Sequence, residues 1–307
     1  MRIVFLGTPD FAVLPLKAVN NIQGVEIVGV VCNKDKPVGR KQILTAPPVK
    51  IAAQELGLPV FQYNKIREEG VNDLKKLAPD LMITCAFGQI LSQEILDVPK
   101  FGVINIHASL LPKYRGASPI HYAILNGEKQ TGITIMKTDI GIDTGDILLQ
   151  KSLNIGEKET CGELFDRLSA LGAECVKDAL DLIVQGKAEY TRQDESKATF
   201  TKIIKKEYAL IDWTDSAENI VNKIRAFNPA PLAYTLLNGE PFKVYIAEKT
   251  DACGDSGKVL FSDKELVIGT GDGSVKLIKV CKAGGKPMSA EDFLRGNAIA
   301  VGTVLGR

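Results

Sequence analysis

The sequence predicts an α/β fold: a Rossmann-like, mostly parallel sheet covered by helices, followed by a smaller β-barrel domain. Three observations predict it. Apolar segments of strand length alternate with amphipathic segments of helix length up to residue 185, the grammar of a parallel sheet with helical crossovers. Those strands read as nearly unbroken apolar runs, as strands buried on both faces do. Beyond residue 206 short β segments are divided by glycine-containing turns, which suits a small barrel. A length of 307 residues fits two such domains.

Residues 2–6 form a short strand ended by Gly7, and residues 10–20 have helical spacing in Phe11, Leu14 and Val19. Residues 25–32 are rich in β-branched side chains and read as a buried strand. A helix with Pro in its first turn is expected over 47–56, a strand over 58–61 and a charged helix over 67–77. Further strands fall at 81–86 and 103–107, and a strand pair at 131–138 and 146–153. Leu164, Leu168, Leu171, Val176, Leu180 and Ile183 form the stripe of a long helix over 160–185, capped by Gly186. Residues 187–206 are polar and lose the pattern. The expected division is therefore a first domain over 1–187, a linker over 188–206 and a second domain over 207–307. In the second, a helix over 215–226 precedes strands at 233–238, 241–248, 257–261, 265–269 and 273–281.

Thirty-eight basic against 37 acidic residues give a net charge of +1, which excludes a uniformly basic protein and leaves only local basic patches for a nucleic acid. The six cysteines form no CxxC pair, so neither a zinc knuckle nor a disulfide framework is expected. No apolar run approaches membrane-spanning length, and the apolar start is too short for a signal peptide. A cytoplasmic protein is expected. Any imidazole chemistry must use His107 or His121. His121, in a helical segment over 120–125, reads as structural.

The first strand-to-helix turn, Gly7-Thr8-Pro9-Asp10-Phe11, lacks the second and third glycines of a dinucleotide site, which argues against an NAD-dependent oxidoreductase. Asn105 and His107 stand two apart on a buried strand and share a face. Such groups need partners, and the C-terminal end of a parallel strand is where open α/β sheets bind ligands. A satisfied core polar pair is the plainer alternative. The loop from Thr138 to Asp146 carries Asp139, Asp143 and Asp146 beside Gly141 and Gly145. It lacks the calcium-loop pattern and reads either as a loop placing a carboxylate at a site or as an ordinary hairpin. Residues 33–50 carry Lys34, Lys36, Arg40, Lys41 and Lys50 against Asp35. The alternatives there are a phosphate-binding arm and a solvated loop.

Asn105-x-His107-x-Ser109-Leu110-Leu111-Pro112, with Tyr114-Arg115-Gly116 and Asp143, resembles the signature of the 10-formyltetrahydrofolate-dependent formyltransferase family. Phe5-Leu6-Gly7-Thr8-Pro9-Asp10-Phe11, Pro37-Val38-Gly39-Arg40, Ile211-Asp212-Trp213 and Arg225-Ala226-Phe227-Asn228-Pro229 extend the resemblance along the whole chain, toward the branch that acts on methionyl-tRNA. The basic loop departs from that pattern in lacking a further glycine and more lysines after Arg40.

The resemblance implies formyl transfer from 10-formyltetrahydrofolate to methionyl initiator tRNA, with tetrahydrofolate as the second product, and an OB-like form for the barrel. Asn105, His107 and Asp143 would be catalytic. Ser109, Leu110, Leu111, Pro112, Phe87, Gly88, Gln89, Ile90 and Asp139 would line the folate site. Arg40, Lys41, Lys34, Lys36, Lys205 and Lys206 would contact tRNA. Lys202, Lys276, Lys279, Lys282 and Lys286 are further candidates, since residues 207–307 carry 12 basic against 13 acidic residues and tRNA contact there needs a local cluster. No metal and no membrane are implied, and a monomer is expected. The alternatives are a formyltransferase acting on a small amine, a purine-pathway ribonucleotide or an amino sugar, then a formyltetrahydrofolate hydrolase, and from another class a non-catalytic RNA-binding protein.

Overall fold

The structure, a computed structural model, describes every residue except Arg40 and Arg307. It divides into two compact units. One comprises Met1–Pro119, Thr131–Leu153 and Phe165–Thr201; the other comprises Ile120–Gln130, Asn154–Leu164 and Lys202–Arg307. The units therefore interleave along the chain, and much of the segment read as a linker belongs to the first.

The first unit is built on a seven-stranded sheet. Its strands are β1 (Arg2–Gly7), β2 (Glu26–Asn33), β3 (Val60–Tyr63), β4 (Leu81–Cys85), β5 (Val103–His107), β6 (Gln130–Lys137) and β7 (Ile147–Asn154). Their spatial order is β7-β6-β5-β4-β1-β2-β3. The pairs β1–β2, β1–β4, β2–β3 and β4–β5 are parallel, and β6 runs antiparallel to β5. The apolar runs explain the centre: β4 is buried along its whole length, and β1 from Ile3 onward. The chain turns from one side of β1 to the other between β3 and β4, so a topological switch point lies between the carboxyl ends of β1 and β4. Helix Cys161–Val184 buries Leu164, Leu168, Val176 and Leu180, the stripe read from the sequence.

The second unit carries an antiparallel half-barrel sheet. Its strands are β8 (Tyr234–Leu237), β9 (Glu240–Thr250), β10 (Val259–Phe261), β11 (Leu266–Gly269) and β12 (Ser274–Lys282), ordered β8-β9-β12-β11-β10. Register shifts near Ile246 bend the long β9 where it pairs with β12. Helix Ala217–Ala226 starts where Ser216 Oγ accepts from Asn219 N, a regular N-cap. Cys32, Cys85, Cys161, Cys175 and Cys281 are buried, and burial raises the Cys32 thiol pKa to about 11. No described helix is long and apolar enough to cross a membrane.

Candidate functional site

Asn105 and His107 share one face of β5, at the carboxyl end of the parallel part of the sheet. Asn105 stands opposite Thr84 of β4, whose Oγ1 donates to Asn105 Oδ1 at 2.9 Å. Asn105 Nδ2 then faces Asp143 Oδ1 at 3.3 Å. A carboxylate only accepts, so this contact and the Thr84 hydroxyl agree on the amide's orientation. No other bond of Asn105 Nδ2 is made among the described residues, so its second hydrogen is available.

His107 is 6% exposed. Its Nε2 lies 2.9 Å from the Tyr114 carbonyl oxygen. That oxygen can only accept, so Nε2 carries the hydrogen. Nδ1 is the remaining nitrogen, 3.6 Å from Asp143 Oδ2. Asp143 Oδ2 also accepts from Gly116 N at 2.7 Å. Amide, imidazole and carboxylate thus converge from β5 and from the loop between β6 and β7.

Asp143 holds a left-handed backbone, φ +54°. For a residue with a Cβ this costs on the order of 1–2 kcal/mol. The Asp143 and Gly145 carbonyls are held by Gln193 Nε2 at 2.9 and 2.7 Å. The partner loop is equally constrained. Tyr114, Gly116 and Ser118 all have positive φ. Residues Arg115–Gly116 pair in parallel with Phe200–Thr201. Thr199 Oγ1 accepts from Tyr114 N at 2.8 Å, and Thr201 Oγ1 bonds the carbonyls of Arg115 and Ala117. Arg115 is 1% exposed and donates to Gln193 and Glu195.

Thr84, Gln193, Glu195, Thr199 and Thr201 were not among the sequence-predicted site residues. The segment expected to link the domains supplies four of them. Polar side chains that serve a loop leave no period in the sequence. The one signal was Arg115 itself, since a buried guanidinium needs an acid and further acceptors.

The residues expected to form a folate site fall into two groups. Ser109 is buried, its Oγ donating to Lys113 O at 2.7 Å and its carbonyl accepting from Thr134 Oγ1 at 2.6 Å. Leu111 is buried, its carbonyl accepting from Gln150 Nε2. These two shape the loop rather than face an opening; Leu110 and Pro112 between and beside them are partly buried. At the switch point, Phe87 is buried and its carbonyl accepts from Thr8 Oγ1 and Asn33 Nδ2 at 3.1 and 3.2 Å. Gln89 Nε2 donates to Asn33 Oδ1 at 2.7 Å and its Oε1 accepts from Ile66 N. Phe87 and Gln89 thereby tie the ends of β1, β2 and β4 together. Gly88 turns the chain with φ +77°, and Ile90 is 72% exposed. Asp139 is exposed and accepts from Gly141 N and Thr144 Oγ1 within its own loop.

A cavity of about 670 Å³ opens beside that loop, lined among others by Phe101, Lys137, Thr138, Asp139, Ile140 and Tyr190. Thr138 Oγ1 is buried without a hydrogen-bond partner among the described residues. The cavity offers aromatic walls in Phe101 and Tyr190 and polar groups in Lys137 and Asp139, a mix that suits a flat heterocycle with polar edges.

Of the residues expected to contact tRNA, Arg40 lies outside the described residues. Lys34, Lys36 and Lys41 are exposed, and the segment they occupy forms a hairpin of Lys36–Val38 with Ile43–Thr45. Lys50 does not share in that positive surface: it pairs with Asp35 at 2.8 Å and holds that carboxylate below its usual pKa. Lys205 and Lys206 are exposed in the second unit. His121 stands against Phe227 there, and burial lowers its pKa.

Residues 1–180 match the family described as "Formyl transferase", and residues 203–298 match "Formyl transferase, C-terminal domain". The chain is 46% identical to a methionyl-tRNA formyltransferase of Bacillus licheniformis, over 99% of this chain and 98% of that protein. Among solved structures it resembles HypX from Aquifex aeolicus in complex with tetrahydrofolic acid, with a TM-score of 0.64, 20% identity and 99% of this chain covered. This chain spans about half of the HypX chain, 50%. It also resembles an N-formyltransferase from Helicobacter canadensis in complex with folinic acid and dTDP-3-aminofucose, with a TM-score of 0.67, 22% identity, and coverage of 90% of this chain and 98% of that one. These two likenesses concern the fold.

Proposed function

The chain belongs to the formyl transferase family, and from that premise we propose that it transfers the formyl group of 10-formyltetrahydrofolate to the α-amino group of methionyl initiator tRNA. The observation that carries the chemistry is the convergence of Asn105, His107 and Asp143 at one strand end. The acceptor is supported by the end-to-end similarity to a methionyl-tRNA formyltransferase, C-terminal part included. A folate donor is supported by the tetrahydrofolic acid complex of a protein with the same fold and by the cavity beside Asp139. Ile90 and the 138–140 backbone are suited to line that donor site. Lys34, Lys36, Arg40, Lys41, Lys205 and Lys206 are suited to meet tRNA phosphates, with Arg40 able to fork onto a phosphate or stack on a base. The same reading has the protein act as a cytoplasmic monomer.

The reaction is acyl transfer. The amine nitrogen bonds to the formyl carbon, the bond from that carbon to folate N10 breaks, and one proton passes from the amine to N10. The carbonyl oxygen carries negative charge in the tetrahedral intermediate and needs preorganised donors. Asn105 Nδ2 has a hydrogen free for it, and a protonated His107 Nδ1 supplies charge beside it. Asp143 stabilises that imidazolium, receives the amine proton directly or through a water, and passes it on to N10 as the carbon–nitrogen bond breaks.

The protein mixed with 10-formyltetrahydrofolate and methionyl initiator tRNA should give formyl-methionyl-tRNA on an acid gel, and none with uncharged tRNA. Formate released without any tRNA would replace this reading with a hydrolase. Stable folate and unmodified tRNA would replace it with a small-amine enzyme.

The Asp143 loop tolerates little change. A Cβ on Gly145 would fall onto the Lys137 carbonyl oxygen, where β6 ends and Lys137 N donates to Asp146 O at 2.9 Å. Gly145→Ala should separate these backbones and displace Asp143. A misplacement of that kind can cost about 100-fold, and steady-state turnover equal to the parent would contradict it.

A further inference from the structure

The geometry points to Gln193 as the positioning residue of Asp143, with Arg115 fixing the orientation in which Gln193 can act. The inference rests on the reading above and extends it to a residue outside the signature motif.

A glutamine amide has an accepting end and a donating end. Arg115 only donates, and its Nε and Nη2 lie 3.0 and 2.9 Å from Gln193 Oε1. The oxygen must therefore face the guanidinium, which turns the NH₂ group toward the Asp143 loop. Its two hydrogens meet two carbonyl oxygens, Asp143 O at 2.9 Å and Gly145 O at 2.7 Å. Gln193 is 4% exposed, so bulk water has no access to take over these bonds.

The clamped residue is the one with the unfavourable backbone. Asp143 sits at φ +54°, and in that conformation its carboxylate is aimed at His107 and Asn105. Gly116 N holds the carboxylate from one side, and Gln193 holds the main chain on the other. Both anchors derive from one place, because Gly116 follows Arg115 directly. Glu195 completes the chain by accepting from Arg115 Nη1 and Nη2 at 2.8 and 2.7 Å. A buried guanidinium is costly to desolvate, and here Nε and Nη2 set one amide while Nη1 and Nη2 meet a carboxylate. Satisfying Arg115 alone would need only an acceptor at position 193. The two carbonyls of the Asp143 loop need a donor, and only an amide of this length supplies both.

The test uses Q193E and Q193M, each alone and combined with D143N. Q193E keeps an acceptor for Arg115 but sets an oxygen against the two loop carbonyls. Q193M keeps the shape and removes both interactions. Each single variant should lower kcat by about 10- to 100-fold while leaving KM for methionyl-tRNA near that of the parent. In the D143N background neither should lower the residual rate further, because a residue that acts through Asp143 has nothing left to position. Q193E with parental turnover, or a full additional loss on top of D143N, overturns the proposal. If Q193M does not fold, Q193E carries the test. A parent that formylates no methionyl-tRNA would refute the proposed function instead. The positioning role is then read from a crystal structure of Q193E: φ of Asp143 leaving the left-handed region supports it, and an unmoved loop refutes it.

Discussion

Asn105→Ala and His107→Ala should each lower turnover by on the order of 100- to 1000-fold, the typical loss for one oxyanion donor, with the fold retained. Asn105→Ala removes the one amide hydrogen not engaged with Asp143. Thr84 Oγ1 keeps an acceptor in the Ile104 carbonyl at 3.3 Å, and Asp143 Oδ1, which loses the amide, can take a water in the vacated space. His107→Ala removes the imidazole that faces Asp143 and its bond to the Tyr114 carbonyl, which a water in the vacated space can replace. The loss should fall on kcat, because both groups act on charge that develops during reaction. Formyl transfer kinetics and a thermal melt, run side by side, check both halves. Turnover within a few-fold of the parent in a folded Asn105→Ala protein would remove Asn105 from the mechanism.

The largest loss of stability is expected from Phe5→Ala. Phe5 is 0% exposed on β1, the strand with neighbours β2 and β4 on either side. Truncating such a ring costs about 3–5 kcal/mol through lost burial and the cavity left behind. In a chain of this size that lowers Tm by on the order of 10 °C. The ring also supports the switch point from below, for a Cβ on Gly7 would stand 2.9 Å from it. Calorimetry should show the drop, while turnover of the folded fraction at low temperature stays close to the parent. An unchanged melt would mean that the core closes over the space.

The sheet was legible because its strands are apolar on both faces, and the edges of β1, β4 and β5 agree with the sequence to within a residue or two. Asn105 and His107 were legible for the converse reason, as two polar side chains on one face of such a strand. The hairpin at 36–45 was read as a polar loop because its charges dominate. Its apolar residues Val38, Ile43 and Leu44 are 56%, 61% and 67% exposed and form no core. Helix Ala290–Gly296 was overlooked although Ser289 accepts from Asp292 N at 3.0 Å, a cap that Ser-x-x-Asp announces. Gln193 was illegible in principle. Its role depends on contacts with residues 115, 143 and 145, far away in sequence, and nothing in its own neighbourhood marks it.

That distance has a consequence for how the enzyme comes into being. Chains fold from their N-terminal side while still being made. All seven strands of the first sheet are present once residue 154 has left the ribosome, and the signature residues lie within that stretch of chain. Gln193, Thr199 and Thr201 follow only after the long helix. A nascent chain stopped between those points holds every residue of the signature and lacks the anchors that set its carboxylate. Competence arrives later than the sheet, with the last residues of the segment that closes the loop.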